Sequence, residues 1–119
     1  MAGSPITIYH NPRCSKSRAT LQRIEDRGLH PTIVEYLKTP PTVAELDMLC
    51  TALGVDPTEM VRFNEQEAKD LGLKKTDTRL RADWLNLLAE YPRLIERPIV
   101  LRGEKAVIGR PPENVEALL

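Results

Sequence analysis

The sequence predicts an α/β fold in the order β-α-β, a helical block, then β-β-α. Three observations carry that prediction. A β-rich run gives way to a helical pattern and then to a second β-rich run. Capped helices follow, and two short apolar runs around a glycine close the chain.

The first run is residues 5–9, PITIY, broken by His10-Asn11-Pro12. From Ser15 the spacing turns helical: Ser17, Leu21, Ile24 and Gly28 fall on one face, with Gly28 as the stop. Residues 32–37, TIVEYL, form the second strand, so the two strands of this βαβ unit should run parallel through a right-handed crossover. In TPPTVAEL, Thr42 caps a helix and Glu45 completes a capping box; Val43, Leu46, Cys50 and Leu53 make its buried stripe and Gly54 ends it. Asp56-Pro57 repeats the start signal, and the polar stretch to about Lys75 reads as short helices and turns. Residues 78–91 are expected to be helical, with Leu80, Trp84, Leu87 and Tyr91 on one face and Pro92 beyond. Residues 99–101 and 106–108, joined through Arg102-Gly103-Glu104-Lys105, give a β-hairpin signal. Pro111-Pro112 leads into a short terminal helix, ENVEALL.

At 119 residues the chain is long enough for one modest core. A single domain, residues 1–119, is expected, with a helical insertion at about 42–91; the Pro-rich break at 39–42 is too short to separate domains. Seventeen basic residues balance seventeen acidic ones, so no global field draws the chain to nucleic acid or to an anionic membrane. No apolar run is long enough to span a bilayer, and MAGSP lacks the basic start and apolar stretch of a signal peptide. The cytoplasm, with both cysteines as thiols, is the expectation.

Cys14 is the residue to explain. It sits between the first strand and the first helix, among Arg13, Lys16 and Arg18, and the nearest acid is Glu25. At a helix N-terminus the backbone N–H groups lack intrahelical partners and the macrodipole is positive. Each factor favours thiolate, and thiols so placed commonly titrate at ~3.5–7.5 rather than about 8.5. The same N–H groups cradle an oxyanion, so one loop offers an attacking sulfur and a dock for the anion it attacks. A free cysteine is otherwise often just a small core residue. That bland reading fits Cys50 better, since it lies on an apolar stripe with Asp47 nearby and no basic neighbour in sequence. Cys14 would then need an external thiol to complete a redox cycle. A metal site at His10 and Cys14 is disfavoured, because the chain has only two His and two Cys.

ITIYHNPRCSKSR is similar to the N-terminal motif of the glutaredoxin-linked arsenate reductase family, His-x-x-x-Cys-x-x-x-Arg, here His10, Cys14 and Arg18. The resemblance continues through PTIVEYLKTPPTVAEL, MVRFNE, ERPIV and IGRPPENV, nearly the whole chain in order. It implies a thioredoxin-like fold with a mixed four-stranded sheet, and a cis bond at Arg97-Pro98 beside the active cysteine. It also implies three arginines around that cysteine as substrate ligands: Arg62, Arg97 and Arg110. Guanidinium suits the task, being always charged and able to grip an oxyanion through paired donors.

The implied activity is arsenate reduction. Cys14 thiolate attacks arsenic, water leaves, and a thioester-like adduct forms; glutathione attacks next, and glutaredoxin clears the mixed disulfide. No bound cofactor or metal is implied. His10 by charge and Ser17 by a hydroxyl hydrogen bond are expected to tune the thiolate, unless each is structural. Two rivals share the fold. One is a glutathione-dependent thiol reductase with another substrate. The other is an Spx-type regulator that binds RNA polymerase, but such proteins carry a Cys-x-x-Cys switch and here Ser17 stands three after Cys14.

Overall fold

The computed structural model describes residues 3–119; Met1 and Ala2, the start of the stretch read above for a leader, lie outside them. The chain divides into two compact units. One joins the N-terminal segment up to Thr39 with Arg97–Leu119, and the other is Pro40–Glu96.

Among the described residues, the first unit holds four strands: β1 (Ile6–His10), β2 (Thr32–Glu35), β3 (Ile99–Arg102) and β4 (Lys105–Ile108). Their order across the sheet is β2-β1-β3-β4. β1 pairs parallel with β2 and antiparallel with β3, and β3 pairs antiparallel with β4, so the sheet is mixed as expected. Alternation in β1 sends Ile6 and Ile8 to one face, where they form a core with Ile24, Val100, Val115 and Leu118. Truncating a fully buried member such as Ile8 to Ala typically costs about 2–5 kcal/mol.

Helix α1 (Ser15–Asp26) closes the crossover. Its end is a Schellman motif. Gly28, at φ 73°, donates to the Glu25 carbonyl at 2.8 Å, and Leu29 donates to the Ile24 carbonyl at 3.4 Å. Ile24 lies in the core and Leu29 packs, partly buried, against the same cluster, the kind of apolar burial that accompanies this cap. Its inward face is Ser17, Thr20 and Ile24, while Leu21 is half-buried. The chain ends in a 3₁₀ segment, Pro112–Leu118, where an ordinary helix was expected. Arg23 binds Glu113 at 3.0 Å and Glu116 at 3.1 Å, tying α1 to that segment.

The second unit contains α2 (Val43–Leu53), α3 (Gln66–Asp70) and α4 (Arg81–Glu90), with 3₁₀ turns at Pro57–Met60 and Pro92–Leu94. Thr42 and Glu45 form the expected capping box, and Gly54 ends α2 at φ 69°. Its stripe is Leu46, Leu49 and Cys50, whereas Val43 and Leu53 are only partly covered. α4 begins three residues later than the spacing suggested. The Asp83 carboxylate accepts the Leu80 N–H at 3.3 Å, which fixes the start there and leaves Leu80 72% exposed. The buried face is accordingly Trp84, Leu85 and Leu88. Among the described residues, no helix is long and apolar enough to cross a membrane.

Candidate active site

The site grows from the break after β1. The Cys14 N–H donates to the Asn11 carbonyl at 3.0 Å, and Asn11 Oδ1 accepts the Arg13 N–H at 3.0 Å, so the loop is a tight turn. Arg18 Nη1 donates to the Pro12 carbonyl at 2.9 Å, bracing the same turn from α1. Cys14 is the N-cap of α1, in extended conformation, with no side-chain cap bond of its own.

Its sulfur is partly buried, and burial alone pushes the thiol pKa up. The backbone N–H groups of Ser17 and Lys16 at the helix start, with the positive charges of Arg97 and Arg110, outweigh that and leave it below the ordinary value. Arg110 Nη1 lies 3.8 Å from the sulfur and 3.5 Å from the Arg97 carbonyl. Hence Cys14, Arg97 and Arg110 are brought together within one unit. Arg62 lies in the other unit, where its guanidinium pairs with Glu65 at 3.0 Å and donates to the Arg93 carbonyl at 3.1 Å.

His10 and Ser17 are buried and joined at 2.6 Å through Nδ1 and Oγ. Burial chiefly lowers the His10 pKa, with Arg18 adding to it and Glu35 opposing, so the ring is neutral near pH 7. Ser17 Oγ also accepts the Asn11 N–H at 3.0 Å. From this network we assign the hydroxyl proton to the Nδ1 contact and the ring proton to Nε2. The Ser17 hydroxyl therefore serves His10 and the loop, while its backbone N–H serves the sulfur.

The Arg97-Pro98 bond is cis, as the resemblance implied, and Arg110-Pro111 is cis as well. Sequence reasoning passed over the residue between them in space. Gly109 donates its N–H to the Pro98 carbonyl at 2.9 Å and packs so closely that a Cβ there would lie 2.5 Å from Thr20 Oγ1 and 2.8 Å from Pro98 Cγ. The absent side chain lets the Arg110 segment press against α1, within reach of Cys14. A glycine directly before Arg-Pro, outside any turn the chain needs, was the available signal. Among the described residues, no group of three or more His, Cys, Asp or Glu could hold a metal ion.

Several known proteins are similar to this chain over nearly its whole length. An arsenate reductase of Neisseria meningitidis is 46% identical over 119 residues, covering 96% of this chain and 97% of the relative. An uncharacterized Escherichia coli protein, YfgD, is 45% identical over 112 residues, covering 92% of each. The structure of an arsenate reductase from Vibrio cholerae superposes with a TM-score of 0.91 at 44% identity, covering 98% of both chains. The profile of the ArsC family matches residues 9–118, a span that contains every residue of the site just described, and the chain belongs to that family.

Proposed function

We propose that the protein is an arsenate reductase in which Cys14 is the nucleophile, Arg97 and Arg110 bind the oxyanion, and glutathione with glutaredoxin supplies the electrons. The observation that carries this reading is the sulfur at the start of α1, beside free N–H groups, with the Arg110 guanidinium 3.8 Å away and the charge of Arg97 also favouring thiolate. That is an attacking group and an anion site in one place.

The thiolate attacks arsenic, a sulfur–arsenic bond forms, and one oxygen leaves as water after protonation. Glutathione thiolate then attacks the Cys14 sulfur. A sulfur–sulfur bond forms, the sulfur–arsenic bond breaks, and its electron pair goes to arsenic, which leaves as As(III). A glutaredoxin thiolate takes the glutathionyl group from the mixed disulfide and regenerates Cys14. Arg97 and Arg110 offset charge on the oxyanion as it develops, and the free N–H groups at the helix start share that task. The family resemblance gives Arg62 a substrate-binding role too, which the arsenate KM of Arg62→Ala tests. Arg18 holds the loop through Pro12, and Ser17 and His10 hold it from within. Reliance on glutathione and glutaredoxin assigns the enzyme to the thiol-reducing cytoplasm.

The test is arsenate reduction with glutathione and glutaredoxin, comparing the parent with Cys14→Ser and Arg97→Ala. Cys14→Ser is expected to be inactive and Arg97→Ala severely impaired. Full activity in Cys14→Ser would sink the proposal. A parent that reduces mixed disulfides but never arsenate would transfer the site to the thiol-reductase reading.

A further inference from the structure

A cleft of about 190 Å³ lies on the first unit beside the active-site turn, lined by His10, Asn11, Arg13, Glu35, Leu37 and Lys38 among others. It opens at the carboxyl ends of two parallel strands: His10 ends β1, Glu35 ends β2, and the two residues are register partners. Ligands of α/β sheets gather at such strand ends. Here the chain turns back sharply after β2, with Lys38 and Thr39 both donating to the Glu35 carbonyl. That turn sets the Lys38 ammonium 3.6 Å from the Glu35 carboxylate and leaves Leu37 42% exposed on the wall.

We propose that this cleft is the glutathione subsite, seating the γ-glutamyl end of the tripeptide while the thiol extends past Arg13 to Cys14. The inference rests on the reading of Cys14 as the sulfur that attacks arsenate. Charge complementarity identifies the occupant. The γ-glutamyl end carries an ammonium and a carboxylate on one carbon, matching the adjacent Glu35 and Lys38. Its methylenes match Leu37. The glycine carboxylate needs a second cation, and the exposed Arg13 guanidinium has no hydrogen bond or ion pair among the described residues. Arg13 also directly precedes Cys14, so a ligand that spans it brings a central thiol to the sulfur. Size agrees. The cleft is smaller than the ~300–1,000 Å³ of sites that enclose a whole ligand, so it holds one amino-acid-sized end and leaves the remainder extended along the turn.

The experiment is arsenate-dependent glutathionylation of Cys14, followed by mass spectrometry across a range of glutathione concentrations. Arg13→Ala and Lys38→Ala are each expected to raise the half-saturating glutathione concentration about twofold to fivefold, the scale of an exposed ion pair. The half-saturating arsenate concentration should stay at the parent's value. γ-Glutamylcysteine, lacking the glycine carboxylate, should show a similar penalty with the parent and no further penalty with Arg13→Ala. Unchanged glutathione dependence in both variants overturns the inference while leaving the proposed activity intact. So does an equal loss of affinity for arsenate and glutathione, which would reduce Arg13 and Lys38 to a general electrostatic effect. A parent that forms no arsenate-dependent mixed disulfide defeats the proposed activity, and this inference with it.

Discussion

Cys14 and Cys50 sit on helices of the two units and carry the same thiol, yet their surroundings drive them in opposite directions. Cys50 is fully buried on the inner stripe of α2, and its sulfur contacts the Val55 carbonyl at 3.1 Å, a contact in which only a thiol can donate. Burial raises its pKa. Arg81 opposes that, while Asp56 and Asp47 add to it. Cys14 meets burial as well, but N–H donors and two guanidinium groups reverse the outcome. Burial is thus common to both. The difference lies in what accompanies it: a helix start adds free N–H groups to two guanidinium charges at Cys14, whereas a helix interior has already spent its N–H groups on its own carbonyls and leaves Cys50 with Arg81 alone against two aspartates.

The largest expected effect breaks this comparison outright. Cys14→Ser should lower arsenate reduction by at least about 10³-fold, in line with the loss of nucleophiles elsewhere. Cys50→Ala should keep near-parent kinetics and lose only stability, roughly 1–2 kcal/mol in urea unfolding, because it empties a small packed volume. Equal catalytic losses in the two variants would mean that the contrast in environment has no functional content.

Next in size are the arginines. Arg110→Ala and Arg97→Ala should each lower kcat/KM for arsenate by about 10²–10³-fold, as for removal of an oxyanion donor. Each should also move the pH midpoint of Cys14 alkylation upward, since a positive charge favouring thiolate is gone. The sign carries over to stability. Cys14 binds its proton more weakly folded than unfolded, so its contribution is fully present above the ordinary thiol range and is lost as pH falls through the depressed folded value. Cys50 behaves oppositely: its contribution is present below the ordinary thiol range and is lost as pH rises through the raised folded value. The gap in urea midpoint between the parent and Cys14→Ser should therefore shrink as pH falls below the ordinary thiol range, and that between the parent and Cys50→Ala should shrink as pH rises above it.

Local signals explain why much of this was legible in the chain. The Thr42–Glu45 box, the Gly28 and Gly54 stops and the glycine hairpin are written in residues adjacent in sequence, and each formed as read. The N–H groups of the helix start at Cys14 were legible too, lying within one turn, but the charges that join them come from the distant Arg97 and Arg110 rather than from Arg13, Lys16 or Arg18. The shifted start of α4 was harder, since Leu80 fits an apolar stripe by spacing and only the Asp83 cap turns it out to solvent. The basic neighbour of Cys50 was invisible because Arg81 comes from another helix. Gly109 was invisible for the same reason: its role is a close approach to Thr20 on α1, which no local pattern encodes.

That approach gives the third effect. Gly109→Ala should destabilise the protein by about 1–3 kcal/mol, the range for overpacking, because the added carbon meets Thr20 and Pro98 well inside contact distance. The relief available is to move the Arg110 segment away from α1, so the alkylation midpoint of Cys14 should rise together with the loss in thermal stability. A stability loss with an unchanged midpoint would separate the packing at Gly109 from the placement of Arg110.

The smallest effect on the thiol is expected at Ser17, and it sharpens the comparison most, because side chain and backbone of one residue do different jobs. The hydroxyl bridges His10 Nδ1 and the Asn11 N–H, whereas the backbone N–H faces the Cys14 sulfur. Ser17→Ala removes the bridge and keeps the donor. Two polar groups then lose their partner in a buried setting, at a typical cost of about 1–3 kcal/mol. The alkylation midpoint should nevertheless shift upward by less than in Arg110→Ala, through loosening of the turn alone. The Nε2–H tautomer assigned to His10 in the parent should become free to exchange, which nitrogen-15 chemical shifts of the ring would register. If Ser17→Ala instead raises the midpoint as far as the arginine variants do, the hydroxyl and not the helix start governs the thiolate. The distinction between Cys14 and Cys50 would then rest on one side chain rather than on where in a helix each sulfur stands.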